Sequence, residues 1–75
     1  MPSSKTPVSS AAVRMGIRIR SARLDRGLTV IELAKKAKCS PASISTVENG
    51  LNSVSVDGLR KIARALKVDV AELLK

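Results

Sequence analysis

The chain has 75 residues, no Phe, Tyr, Trp or His, a single Cys and a net charge of +8. This length allows one small domain, near the lower limit for a core that stabilises itself without metal or disulfide, and the core must be packed from Leu, Ile, Val, Ala and Met. The same composition excludes an internal disulfide and a zinc site, which lack ligands, RNA binding on aromatic platforms, and any membrane span or secretory signal, for which no apolar run is long enough.

A lone thiol fits a reducing, cytoplasmic setting. The basic balance, with an isoelectric point near 10.7, points to a polyanionic partner, the plain alternative being a cationic surface that serves solubility. An enzyme is not expected: there is no His, the carboxylates are not clustered, and no base stands beside a Ser to activate it. No cofactor, metal or small-molecule ligand is expected either.

Residues 1–10 hold Pro2, Pro7 and four Ser without apolar periodicity, and read as a disordered arm. Its one charged side chain, Lys5, gives little reason to place it in a minor groove. Residues 11–75 form the domain. Ser9 or Ser10 caps a first helix that runs to about Arg26 and stops at Gly27. Ile17 to Arg20 alternates with period two, as in a strand, but Met15, Ile19 and Ala22 recur at helical spacing over the wider window. A second apolar line, Val13, Ile17 and Leu24, lies on another face; it is either partly covered by the arm or a protein-contact surface.

From Leu28 to Gly50 two short helices are predicted, joined by a tight turn. Thr29 and Glu32 form a Thr-x-x-Glu capping box, each satisfying the other's backbone amide. Ser40 then Pro41 is a second start, an N-cap oxygen before a ring that presets φ at the first helical position. Gly50 is a stop. Leu33, Ala34 and Ala37 face inward from the first helix of the pair, Ile44 and Val47 from the second. Two such helices joined by a turn of three or four residues have the arrangement of a DNA-binding helix-turn-helix, whose second helix enters the major groove. Beyond a loop from Leu51 to Val54, Ser55 caps a fourth helix, about Val56 to Leu66, with Leu59, Ile62, Ala63 and Leu66 as its inner stripe. Asp69 and Glu72 then open a short last helix that reaches Leu74. The fold class is therefore all-α, with five helices.

The chain from Met15 to Leu74 resembles the lambda-repressor-like, Cro/cI-type (XRE) helix-turn-helix domain. The resemblance is carried by Gly16, Ile19-Arg20-x-x-Arg23, Gly27-Leu28-Thr29, Glu32-Leu33-Ala34, Ser40, Ile44-Ser45, Val47-Glu48-x-Gly50, Leu59, Ile62-Ala63-x-Ala65-Leu66 and Leu73-Leu74. It implies a five-helix bundle that binds operator double-stranded DNA as a homodimer, and an ion pair between Arg23 and Glu48 that is structural rather than DNA-reading. It also implies base contacts from Pro41, Ala42 and Thr46, with Ser43 and Ser45 alongside. No Arg, Gln or Asn stands at these positions, so the bidentate pairings to guanine or adenine are missing and DNA shape is expected to carry more of the specificity.

Phosphate contacts are expected from Thr29 at a helix start, from Ser40 (chiefly a cap), from Asn49, Asn52 and Ser53 beyond the recognition helix, and on the rim from Arg14, Arg18 and Lys35. Val30 stands where the family often has Gln, which removes one phosphate-bonding side chain. Cys39 occupies a turn position usually held by a small aliphatic residue and is expected to be buried. Val68, Val70, Leu73 and Leu74 make an apolar end expected to form the dimer face, as the last helix often does in relatives. With no residues left for a sensor domain, the expected controls are concentration, dimerisation or a second protein. The loop from Asn52 to Ser55 resembles the Asn-x-Ser pattern of restriction–modification controller proteins. An antitoxin-like or accessory module whose main partner is another protein is the alternative.

Overall fold

The computed structural model describes residues 10–51 and 54–74. Among them are five helices and no strand: α1 (Ser10–Asp25), α2 (Val30–Ala37), α3 (Pro41–Glu48), α4 (Val56–Leu66) and α5 (Val70–Leu74). The fold is the all-α, five-helix arrangement expected. The arm lies outside the described residues apart from Ser10, which opens α1, and so do Asn52 and Ser53.

Three of the helices start on the side chains predicted to cap them. Thr29 Oγ1 accepts from the Glu32 amide at 3.1 Å while Glu32 Oε1 accepts from the Thr29 amide at 2.9 Å, so both halves of the capping box are made. Ser40 Oγ accepts from the Ser43 amide at 3.1 Å, with Pro41 following it, and Ser55 Oγ accepts from the Gly58 amide at 3.1 Å. At the other ends, Gly27 and Gly50 take positive φ, as the stop signals predict. The ends of α2 and α4 carry no such signal. There the left-handed residues are Lys38 and Lys67, at φ 58° and 59°.

Each of these lysines is held by a wrap of backbone bonds. The Cys39 amide donates to the Ala34 carbonyl at 2.9 Å, and the Val68 amide to the Ala63 carbonyl at 3.0 Å. These bonds satisfy carbonyls that the helix end leaves open, which offsets the Cβ crowding of a left-handed non-glycine residue. The same turn corrects the expectation for Cys39: with its amide tied back to α2, its side chain stays exposed.

The inner faces predicted for α2, α3 and α4 are the buried ones, and Leu33, Ile44 and Leu66 are fully enclosed. The first helix packs differently from the apolar count. Its buried face is Ala12, Gly16, Ile19 and Arg23, while Met15 and Ala22 are half-buried flanks. Gly16 is the reason. A Cβ at this position would stand 2.5 Å from the Val47 carbonyl oxygen and 2.6 Å from that of Glu48, so only a bare Cα lets α1 lie against the end of α3.

The last helix brings a second correction. Leu73 is 2% exposed and belongs to the core with Ile19 and Leu66, so it is not available to a dimer face. Leu74 is 63% exposed, and Val68 and Val70 are half-buried against the core. Of the second apolar line on α1, Val13 is half-buried beside Gly50, while Ile17 and Leu24 are each 57% exposed.

Candidate nucleic-acid interface

Because Ile44 and Val47 anchor α3 in the core, helical geometry turns the residues at spacing i, i+3, i+4, i+7 on the opposite side to the outside. These are Ala42, Ser45, Thr46 and Asn49; three are exposed and Thr46 is half-buried. Pro41 and Ser43 are exposed in the first turn. The stripe is smooth and uncharged: a methyl, two hydroxyls and a carboxamide.

Its polar groups are partly committed to their own helix. Thr46 Oγ1 donates to the Ala42 carbonyl at 2.8 Å, and Asn49 Nδ2 donates to the Ser45 carbonyl at 2.9 Å. The Ser40 and Ser43 hydroxyls bond each other at 2.9 Å, and Ser40 also caps α3. Asn49, a phosphate candidate on its sequence position, thus stands at the end of the same outward stripe as the base-reading candidates.

Behind the stripe, one guanidinium fixes the helix. Arg23 Nε donates to Glu48 Oε2 at 2.7 Å, its Nη2 to Glu48 Oε1 at 3.0 Å, and its Nη1 to the Leu28 carbonyl at 2.9 Å. This bidentate pair, both side chains nearly enclosed, ties α1 and the loop before α2 to the last residue of α3. The bond to Glu48 makes Arg23 hold its proton more tightly than an ordinary arginine. The two side chains thus join α1, the loop before α2 and the end of α3.

Thr29 stands exposed at the head of α2. Its amide is already engaged by Glu32, whose carboxyl is held below the ordinary carboxylate range by the two bonds it shares with Thr29. The first amides of α2 beyond it therefore carry whatever anion attraction this helix end has. Lys35 is exposed in the last turn of α2, with Lys36 and Lys38 also exposed nearby. Arg14 and Arg18 are placed elsewhere: they line a groove of about 400 Å³ between α1 and α5, with Ile17, Val68, Glu72 and Leu73.

Gly16 and Arg26 have structural roles that the apolar pattern did not signal. Arg26 Nε donates to the Leu66 carbonyl at 2.8 Å, closing the end of α4 from the end of α1. Its only hint in the sequence was a cation near a helix terminus. Among the described residues no cluster of three His, Cys, Asp or Glu side chains offers a metal site, and no helix is long and apolar enough to cross a membrane.

Residues 19–73 match the helix-turn-helix family profile. Solved structures of similar fold include the restriction-modification controller protein C.AhdI from Aeromonas hydrophila, 31% identical over 87% of this chain and 98% of that one, with a TM-score of 0.84. The clp gene regulator ClgR from C. glutamicum is 35% identical over 88% of this chain and 86% of that one, with a TM-score of 0.82. SinR, the master regulator for biofilm formation, whose structure was determined in complex with DNA, is 34% identical over 81% of this chain and 98% of that one, with a TM-score of 0.78. A search of curated protein sequences gives no significant match.

Proposed function

The chain belongs to the XRE-type helix-turn-helix family of DNA-binding transcriptional regulators, and from that premise we propose that it recognises a (pseudo)palindromic operator as a homodimer, with the helix at about 41–49 in the major groove. The observation that carries this reading is the outward stripe of α3. Ala42, Ser45, Thr46 and Asn49 form a surface narrow and uncharged enough to approach base edges, on a helix locked from behind by Arg23 and Glu48. The DNA complex of SinR, at 34% identity, supports the same use of the fold.

In this reading Pro41 and Ala42 meet thymine methyls, and Ser43, Ser45 and Thr46 offer hydroxyls to base edges. Thr29, Ser40, Asn49 and Lys35 set register on the phosphates, with Asn52 and Ser53 as further candidates on sequence position. The dimer face is the exposed Leu74 with the half-buried Val68 and Val70. Two recognition helices about 34 Å apart would read half-sites one helical turn apart.

The test is footprinting of purified protein on DNA upstream of its own gene across a salt series. Two symmetric protected half-sites are expected, with affinity falling steeply as salt rises because phosphate neutralisation releases counterions. Uniform, salt-sensitive coating without a discrete footprint would overturn operator recognition. A second reading, an accessory module that docks on another protein, is favoured by Ile17 and Leu24, which stand 57% exposed on one face of α1. Such a partner would protect those two residues and leave α3 unaffected.

A further inference from the structure

We propose that Thr46 reads an exocyclic amino group of the operator, adenine N6 or cytosine N4, as a hydrogen-bond acceptor. The inference rests on the DNA-binding reading above and gives the recognition helix a base preference. A threonine hydroxyl has one proton and two lone pairs. In α3 that proton is already placed: Thr46 Oγ1 donates to the Ala42 carbonyl at 2.8 Å, one turn back along the same helix. What the side chain offers to the outside is therefore lone pairs and a methyl group. Turning the proton outward would break a bond of good length.

No neighbouring charge reverses this polarity, although the Ser45 hydroxyl can donate or accept. Ala42 beside it is a methyl, and no Lys or Arg stands on the outward stripe. Asn49, the next residue of the stripe, likewise spends an amide hydrogen on the Ser45 carbonyl, at 2.9 Å. In the major groove only two groups donate, adenine N6 and cytosine N4; guanine N7 and O6 and thymine O4 all accept. A lone pair on Thr46 meets attraction at the first two and repulsion at the others. The position that Thr46 faces should consequently be an amino-bearing base, and guanine there should be disfavoured.

The experiment uses the full chain and the duplex it prefers from a randomised pool, with binding followed by fluorescence anisotropy. At each half-site position, adenine is replaced by purine or cytosine by 2-pyrimidinone, which delete the amino group, and guanine by 7-deazaguanine, which deletes N7. One amino deletion in each half-site removes two hydrogen bonds from the dimer's complex and should weaken binding about ten- to a hundredfold, three- to tenfold for each single net hydrogen bond. Thr46→Val should bind the unmodified duplex more weakly by the same factor and lose its sensitivity to that deletion. Thr46→Ser, which keeps the hydroxyl, should retain the sensitivity.

A Thr46→Val protein that remains sensitive to every amino deletion overturns the proposal, as does a Thr46-dependent loss on 7-deazaguanine, which would make the hydroxyl a donor. Equal binding of all sequences in the pool is a different failure: it removes operator recognition itself and the proposal with it.

Discussion

Gly16 and Gly58 both lie inside helices, and replacing each with Ala should have opposite results. Taken alone, Gly→Ala in a helix favours folding by about 1 kcal/mol. At Gly16 the added Cβ would meet three backbone atoms: the Val47 oxygen at 2.5 Å, the Glu48 oxygen at 2.6 Å and the Glu48 carbonyl carbon at 2.9 Å. Backbone cannot turn aside as a rotamer can, so α1 and the end of α3 must move apart by about half an ångström. That shift opens the packing around Ile19 and Ile44, two of the fully buried residues.

Overpacking of this kind costs about 1–3 kcal/mol, and the upper figure applies because none of the three contacts is flexible. After the propensity gain, a net loss of about 2 kcal/mol remains, or roughly 8–16 °C in Tm for a domain of this size. At Gly58 the close contact is Val54 Cγ2 at 2.7 Å, the end of a half-buried side chain that can rotate, with Ser55 Oγ at 3.3 Å. The same substitution there should leave Tm unchanged or raise it by a few degrees. Thermal unfolding followed by circular dichroism at fixed protein concentration distinguishes the two. A Gly16→Ala protein as stable as the parent would refute the argument that the bare Cα sets the α1–α3 distance.

Three further outcomes follow from the structure. Lys38→Gly relieves a left-handed residue at φ 58° and should stabilise by about 0.5–1 kcal/mol, read as a rise of a few degrees in Tm; a fall would mean that the Lys side chain contributes more than its backbone strain. Glu48→Ala leaves the nearly enclosed Arg23 without its carboxylate and should cost about 3 kcal/mol in urea unfolding, whereas Ala42→Glu, on the exposed stripe, should leave the urea midpoint in place and reduce operator affinity roughly a hundredfold or more; exchanged phenotypes would invert the assignment of reading face and structural pair. Glu32 is held below its ordinary value of 4.5, so its capping contribution is complete above that pH and is lost as pH falls through the lower, folded value. Over pH 2–6, Tm should fall more steeply for the parent than for Glu32→Gln, and parallel curves would contradict the capping-box assignment.

The starts of α2, α3 and α4 were legible from residues alone because their signals act within one turn. Thr29 with Glu32, Ser40 with Pro41, and Ser55 each settle a local question about which oxygen satisfies which amide, and no distant residue changes the answer. The apolar faces of α2, α3 and α4 were equally readable, since each is buried on one side only. For the candidate interface, the resemblance pointed to Ala42 and Thr46, with Ser45 alongside, and the burial of Ile44 and Val47 turns all three outward. Which hydroxyl proton is already spent, at Thr46, is decided only in the folded helix.

Other features depend on what comes near from elsewhere in the chain. The resemblance marked Gly16 without a reason, because the carbonyls that demand it belong to residues 47 and 48. Arg14 and Arg18 carry the charge a DNA rim needs, but the packing of α5 on α1 places them in a groove with Glu72. Leu73 and Leu74 are chemically alike on a five-residue helix too short to show a period, and only packing into the core cluster that also holds Ile19 and Leu66 buries the first and leaves the second exposed. Local sequence determined where the helices begin and which face of most of them is apolar, because those choices are made over a few residues. Interhelical distance, the exposed end of α5 and the position of each charge were decided by tertiary packing, because they depend on side chains far away in sequence.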